Sequence, residues 1–253
     1  VTVRQLLGHE AGLVLLDEKL PLETLRDLDH VADVIARQRP AWPPGTRHGY
    51  HTLTIGLGMQ ELIRRVDPGH RTLGRFFHEE IAVPLGLEFY IGLPTEIPDE
   101  RIARIEPLSR WRGVLALRYT PIATTMRMIR PGSLLRRSFV GTDLDMNDRR
   151  SLEVEVPAGN GVGTARAIAR AYSAFAEGGG EIGITPETLA RLTEPPRVED
   201  PEDVVLGVPS WFSLGFLRPG PEVSFGSSER SFGSPGAGRR GGRSRACSSR
   251  RRS

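Results

Sequence analysis

The sequence predicts an α+β fold, and three observations carry that expectation. Two stretches, Pro21 to Gln38 and Ala165 to Ala176, repeat apolar residues at helical spacing. A third helix, following Thr52, is apolar on more than one face through Leu53, Ile55, Leu57, Met59, Leu62, Ile63 and Val66, and is expected to be buried. Between and after them lie short strand-like runs at Leu87–Ile91, Leu152–Val156 and Trp211–Leu217.

Taken in order, Thr2-Val3-Arg4-Gln5 has the form of a capping box and opens a short helix that His9, Gly12 and Leu13 end. His9 reads as a helix-end histidine bonded to backbone. In Pro21 to Gln38 the residues Leu22, Leu25, Leu28, Val31, Ala32 and Ile35 face inward, leaving Asp27, Asp29 and Asp33 as a wet face. A Pro-rich connection ends in the turn pair Pro44-Gly45 and leads to Tyr50. Thr52 is placed to cap the helix that follows. Gly56 and Gly58 weaken that helix, which implies close approach of another backbone. From the loop and helix alone, Tyr50 reads as a half-buried packing tyrosine. It also sits where binding and catalytic side chains are commonly placed, on a loop held against a rigid element.

Thr72 caps the next helix, with Leu73, Phe76, Phe77 and Ile81 inward and a stop near Pro84 and Gly86. A short strand is expected at Ile102–Ile105. Pro107 to Arg150 is arginine-rich, with turn signals at Pro131-Gly132 and Gly141-Thr142-Asp143. It suits a lid, a cleft wall or a structural excursion equally. Leu152-Glu153-Val154-Glu155-Val156 alternates and runs into a Gly-rich loop, after which Thr164 caps a helix. Ala165, Ile168, Ala169, Tyr172, Phe175 and Ala176 form its expected buried stripe, and Gly178-Gly179-Gly180 ends it. Thr185-Pro186 opens a further helix burying Leu189 and Leu192.

With 253 residues, 38% hydrophobic and 26% charged, the chain can bury a full core as one large domain or two small ones. No apolar run approaches the roughly 20 residues that span a bilayer. The chain opens on Val1, and an N-terminal portion is expected to be missing. Of 34 basic residues, seven arginines lie within 239–253, where there is no acid; against 31 acids the rest of the chain is therefore at −4. The single cysteine, Cys247, excludes a disulfide framework and a thiolate metal cluster.

Lys19 is the only lysine, which removes a P-loop and a conventional pyridoxal Schiff base. His78-Glu79-Glu80 invites a zinc reading, but the second histidine would fall at Ala82. The loop Gly159-Asn160-Gly161-Val162-Gly163 fails the dinucleotide spacing, with Thr164 or Arg166 where the third glycine belongs. No metal and no cofactor are expected.

Four segments carry a resemblance. Pro44-Gly45 leading to Tyr50-His51-Thr52 and a Gly-containing helix resembles the second active-site segment of the serine β-lactamase/penicillin-binding-protein superfamily, in particular its β-lactamase-related carboxylesterases. Val1 to Leu13 resembles the family's ITVRHLLSHTSGL segment. Pro157 to Arg166, and Phe212 to Phe216 followed by Phe232 to Gly238, complete the set in family order.

The resemblance implies a β-lactamase/DD-peptidase-like fold: an antiparallel sheet with flanking helices against a helical lobe, incomplete at both ends. Residues 1–238 would form a partial domain of this kind. It implies an activated serine that attacks an ester or amide carbonyl, an acyl-enzyme, and release by water. Small ester or amide substrates are expected, with Tyr50 in the proton-transfer role. Asn160, Ser234 and Gly236 would border the substrate.

Three departures stand out. Thr52 replaces the family's asparagine. Ser234 replaces the Lys or His of the third motif, and reads as a wall residue. Leu16 stands three before Lys19, so the Ser-x-x-Lys nucleophile segment is absent and the chain alone is expected to be inactive. A non-catalytic binding relative of the same fold is the alternative.

Residues 239–253 cannot bury enough apolar surface to fold. They read as a basic tail drawn to phosphate or as an altered reading frame. The second is favoured, because a strand is cut mid-motif, and no nucleic-acid partner is expected.

Overall fold

The computed structural model describes residues 1–106, 120–139, 143–220, 225, 226, 228 and 230–234. Gly236 and the tail 239–253, both singled out above, lie outside the described residues, as do Gly141 and Thr142.

Helix α1, Val3–Leu7, opens on the expected capping box: the Thr2 hydroxyl accepts from Gln5 N–H and the Gln5 side chain from Thr2 N–H. Helix α2 is shorter than the sequence suggests, covering Leu28–Arg37. A single 3-10 turn, Thr24–Arg26, precedes it, and Asp27 breaks the two by capping His30 N–H with its own carboxylate. Competition from a short acidic side chain thus divides an otherwise continuous pattern.

Helix α3, Thr54–Val66, is the element on which the rest converges. It is less buried than its composition implies. Thr54, Gly56, Leu57 and Gln60 face inward, while Val66 is exposed. Thr52 does not cap it: the cap residue is Leu53 with no side-chain bond, and the Thr52 hydroxyl pairs with Ser138 at 3.1 Å. The expected backbone approach occurs at Gly56, where a Cβ would overlap the Ala158 main-chain nitrogen. At Gly58 the neighbour is instead the Leu6 side chain.

Helix α4, Leu73–Phe77, is capped by Thr72 and runs through a π-helical turn, His78–Ala82, into α5, Val83–Leu85. Gly86 stops it at φ 61°. Strand β1, Phe89–Tyr90, pairs antiparallel with β2, Val162–Gly163. Ile102–Ile105 is not a strand. Helices α6, Ile122–Ile129, and α7, Leu134–Phe139, follow.

The expected strand at Leu152–Val156 is overturned. Asp148 caps a short helix α8, Arg149–Glu153, and the chain then runs extended with no strand partner among the described residues. The alternation is real as burial, since Leu152, Val154 and Val156 are buried. Between them, Glu155 accepts from Thr72 Oγ1 (2.6 Å), Gly74 N–H (2.8 Å) and Gln60 Nε2 (3.2 Å). Side-chain and main-chain donors thus replace a strand ladder.

Helix α9, Ala165–Ala176, begins at its Thr164 cap, but its buried stripe is rotated from expectation. Ala167 and Ala174 pack on Ala82, Leu85 and Leu87, leaving Ile168 exposed. Helix α10, Pro186–Arg191, buries its leucines only in part. The Trp211–Leu217 run is a tight turn rather than a continuous strand, with isolated pairings of Phe212 with Leu217 and of Leu217 with Gly233. Two cores result. One joins α2, α3 and the Val154/Val156 segment; the other gathers Val14, Leu15, Trp42, Leu135 and Val205 beside Tyr50.

Candidate active site

The main chain on both sides of Tyr50 is pinned. Gly49 N–H donates to His9 C=O at 3.0 Å, and Val204 N–H donates to His48 C=O at 3.2 Å. His51 is fully buried, with Nδ1 2.7 Å from the Gly49 carbonyl and Nε2 accepting from Leu13 N–H at 3.1 Å. A carbonyl can only accept, so the His51 proton resides on Nδ1. His51 N–H in turn donates to His9 Nδ1 at 3.0 Å. His9 is therefore a buried histidine at a helix end bonded to backbone, as expected. It also holds a left-handed main chain, φ 58°, unusual for a residue with a Cβ.

Tyr50 is half-buried between aromatic neighbours. Its ring stacks on Phe212 at 5.8 Å and 10°, and tilts toward His9 at 5.4 Å; His9 itself lies 4.1 Å from Phe212. Behind this stack lies Asp203, with no exposed surface. Its Oδ1 accepts from Val205 and Leu206 N–H, both at 2.8 Å, and the Tyr50 N–H also faces the carboxylate, while Oδ2 makes no close, well-aligned hydrogen bond among the described residues. The ring nitrogens of buried His48 likewise make no close, well-aligned hydrogen bond there, although the Pro201 and Ser210 carbonyls face the ring.

Burial, and secondarily the Asp203 charge, push the Tyr50 phenol above its usual range. Both effects disfavour a phenolate, so Tyr50 is a neutral phenol at neutral pH and needs a nearby cation to ionise. Burial raises Asp203 and lowers His48, each opposed in part by the other's charge. Burial also lowers His51 to about 4, against the opposing Gly49 carbonyl. His9 is likewise driven well below its usual value, by burial first and then by the charges of His51 and His48. Both imidazoles are neutral at neutral pH.

Of the other expected site residues, Asn160 and Ser234 are bonded elsewhere in the chain, and Gly236 lies outside the described residues. Asn160 is 1% exposed, and its amide is used by the chain itself: Oδ1 accepts from Val156 N–H at 3.0 Å, while Nδ2 donates to Ser151 C=O and Val154 C=O. Ser234 is exposed, and its N–H donates to the Tyr172 hydroxyl at 3.2 Å. Thr52 is tied to α7, whose Ser138 hydroxyl donates onward to Leu135 C=O at 2.8 Å. Phe212, His48 and Asp203 were not singled out by sequence as neighbours of Tyr50. Phe212 was marked as part of a motif but not as a ring stacked on the tyrosine.

Among the described residues no three His, Cys, Asp or Glu side chains are arranged to hold a metal ion, and no helix is long and apolar enough to cross a membrane.

A pinned loop tyrosine at the mouth of a core helix, set in an α+β frame, defines a class that comparison with known proteins makes specific. The Beta-lactamase family model matches residues 1–246, and the chain belongs to that family. It is 33% identical over 228 residues to the esterase/beta-lactamase LipL of Mycobacterium tuberculosis (strain ATCC 25618 / H37Rv), covering 85% of this chain and 50% of LipL. Among solved structures it superposes on a penicillin-binding protein homolog from Caulobacter crescentus with a TM-score of 0.72 and 31% identity, covering 92% of this chain and 59% of the homolog. A family VIII carboxylesterase gives a TM-score of 0.72 and 33% identity, covering 93% and 59%. The fold is thus of the β-lactamase/penicillin-binding-protein type. The chain spans about half the length of the curated relative it matches.

Proposed function

We propose that this chain is part of a β-lactamase-related serine hydrolase that cleaves small carboxylic esters, or amides, through an acyl-enzyme, with Tyr50 as the proton-transfer residue. One observation carries the reading. Tyr50, on the segment that resembles the family's second active-site segment, has its main chain pinned on both sides and its phenol held neutral. Esterases of the same family at 33% identity support the substrate class.

In this reading residues 1–238 are a partial domain, and the 253-residue chain does not turn over alone. It offers no Ser-x-x-Lys, because Leu16 precedes the lone Lys19. Losing the nucleophile removes most of the acceleration and leaves binding and oxyanion effects. The same absence favours a second reading, a non-catalytic binding relative.

Reading the genomic locus beyond both ends, then assaying the complete product on an activated ester, separates the two. An upstream Ser-x-x-Lys with turnover supports the hydrolase. A complete fold without that serine and lysine, and without turnover, supports the binding relative.

A further inference from the structure

We propose that His9 and His51 form a two-imidazole clasp that sets the position of Tyr50, which makes both of them positioning residues for its proton transfer. The inference rests on the reading of Tyr50 given above.

Tyr50 contributes no side-chain hydrogen bond among the described residues. Its aim therefore comes from its main chain and from ring packing. The main-chain route passes through the histidines, and the ring route is shared between His9 and Phe212. The His51 ring bridges Gly49 C=O on one nitrogen and Leu13 N–H on the other, fixing the residue before Tyr50 against the loop after α1. The residue after Tyr50 is fixed by the His51 N–H bond to His9 Nδ1. Donating from one nitrogen and accepting on the other requires a neutral imidazole in a single tautomer, with Nδ1 protonated.

His9 completes the device twice over. Its ring accepts that amide proton, and its face lies against Tyr50 and Phe212. The left-handed main chain that brings it there, φ 58°, is costly for a residue with a Cβ, and such strain persists where surrounding structure enforces it. Among the described residues no carboxylate or cation is bonded to either ring, so the clasp works through shape and hydrogen bonding.

Nuclear magnetic resonance of the full 253-residue chain tests this through the histidine nitrogens and the Tyr50 ring. In the unsubstituted chain the ¹⁵N shifts of His51 are expected to show a protonated Nδ1 and a bare Nε2. The opposite tautomer, or a doubly protonated ring at neutral pH, overturns the proposal.

Two substitutions then separate positioning from simple stability. His9→Gly accepts the left-handed main chain but deletes the acceptor. His9→Asn also tolerates that conformation and returns an acceptor oxygen. In His9→Gly the His51 amide is expected to exchange roughly tenfold faster, and the Tyr50 ring resonances to move. In His9→Asn both are expected to return toward the unsubstituted values. A folded His9→Gly with unmoved Tyr50 resonances, or a His9→Asn as displaced as His9→Gly, overturns the clasp. These readouts need no turnover. Hydrolysis that survived loss of the Tyr50 hydroxyl would defeat the functional reading while leaving the resonances as expected.

Discussion

Arg71 and His48 each sit beside carboxylates, yet one is saturated and the other is not. Arg71 bonds Asp67 through two nitrogens at 2.8 and 2.9 Å, Glu79 at 2.8 Å and Glu80 at 2.7 Å. Those bonds hold the Asp67 carboxyl well below its usual range. Glu155 nearby is equally occupied, with three donors. Around Tyr50, in contrast, His48 and Asp203 are buried with polar atoms that make no close, well-aligned bond among the described residues, and the phenol is pushed away from ionisation. Fully paired polar groups fix a fold. Buried polar groups with capacity to spare, gathered beside a titratable side chain, single out a candidate site.

Acid breaks the second region first. The folded-state pKa of His51, about 4, lies below the 6.5 of an ordinary histidine. Between these values the unfolded chain binds a proton that the folded chain refuses. Stability is therefore complete above pH 6.5 and is lost as pH falls toward 4, by about 3 kcal/mol from His51, with His9 acting in the same direction. Asp203 and Glu10, whose carboxyls burial raises, act in the opposite direction. Denaturant midpoints measured across this window check the net fall.

Glu155→Ala attacks the saturated region. It strands the Gly74 amide and the Gln60 and Thr72 side chains, and is expected to cost about 2–3 kcal/mol in urea unfolding while leaving the Tyr50 resonances in place. Gly56→Ala drives a methyl into the Ala158 main chain, and is expected to cost about 1–3 kcal/mol by the same measurement. Arg75→Ala is the smallest change. It removes an ion pair whose arginine is 68% exposed, so the urea midpoint is expected to stay where it was.

Local rules were legible. Thr2, Thr72, Thr164 and Thr185 each cap the helix expected of them, because their hydroxyls bond within the next three residues, whereas the Thr52 hydroxyl is drawn to the distant Ser138. The Gly56 contact was legible as a demand for space, though not its partner 102 residues away. The Leu152–Val156 alternation reported true burial and the wrong backbone, since burial every second residue does not require a strand partner. At the site, Tyr50 was marked through its motif. Asp203 was not, because its turn reads as an ordinary Asp turn until the fold carries it behind the tyrosine. Asn160 looked free because its three main-chain partners are visible only once the loop after Val156 has folded over it.

The central claim is that Tyr50 moves the proton in ester cleavage, and Tyr50→Phe in the complete chain tests it most directly. That substitution removes one hydroxyl and keeps the stack on Phe212. The account predicts a fall in kcat of roughly 100-fold or more on an activated ester, with KM little changed. A kcat that stays at the unsubstituted value would contradict it.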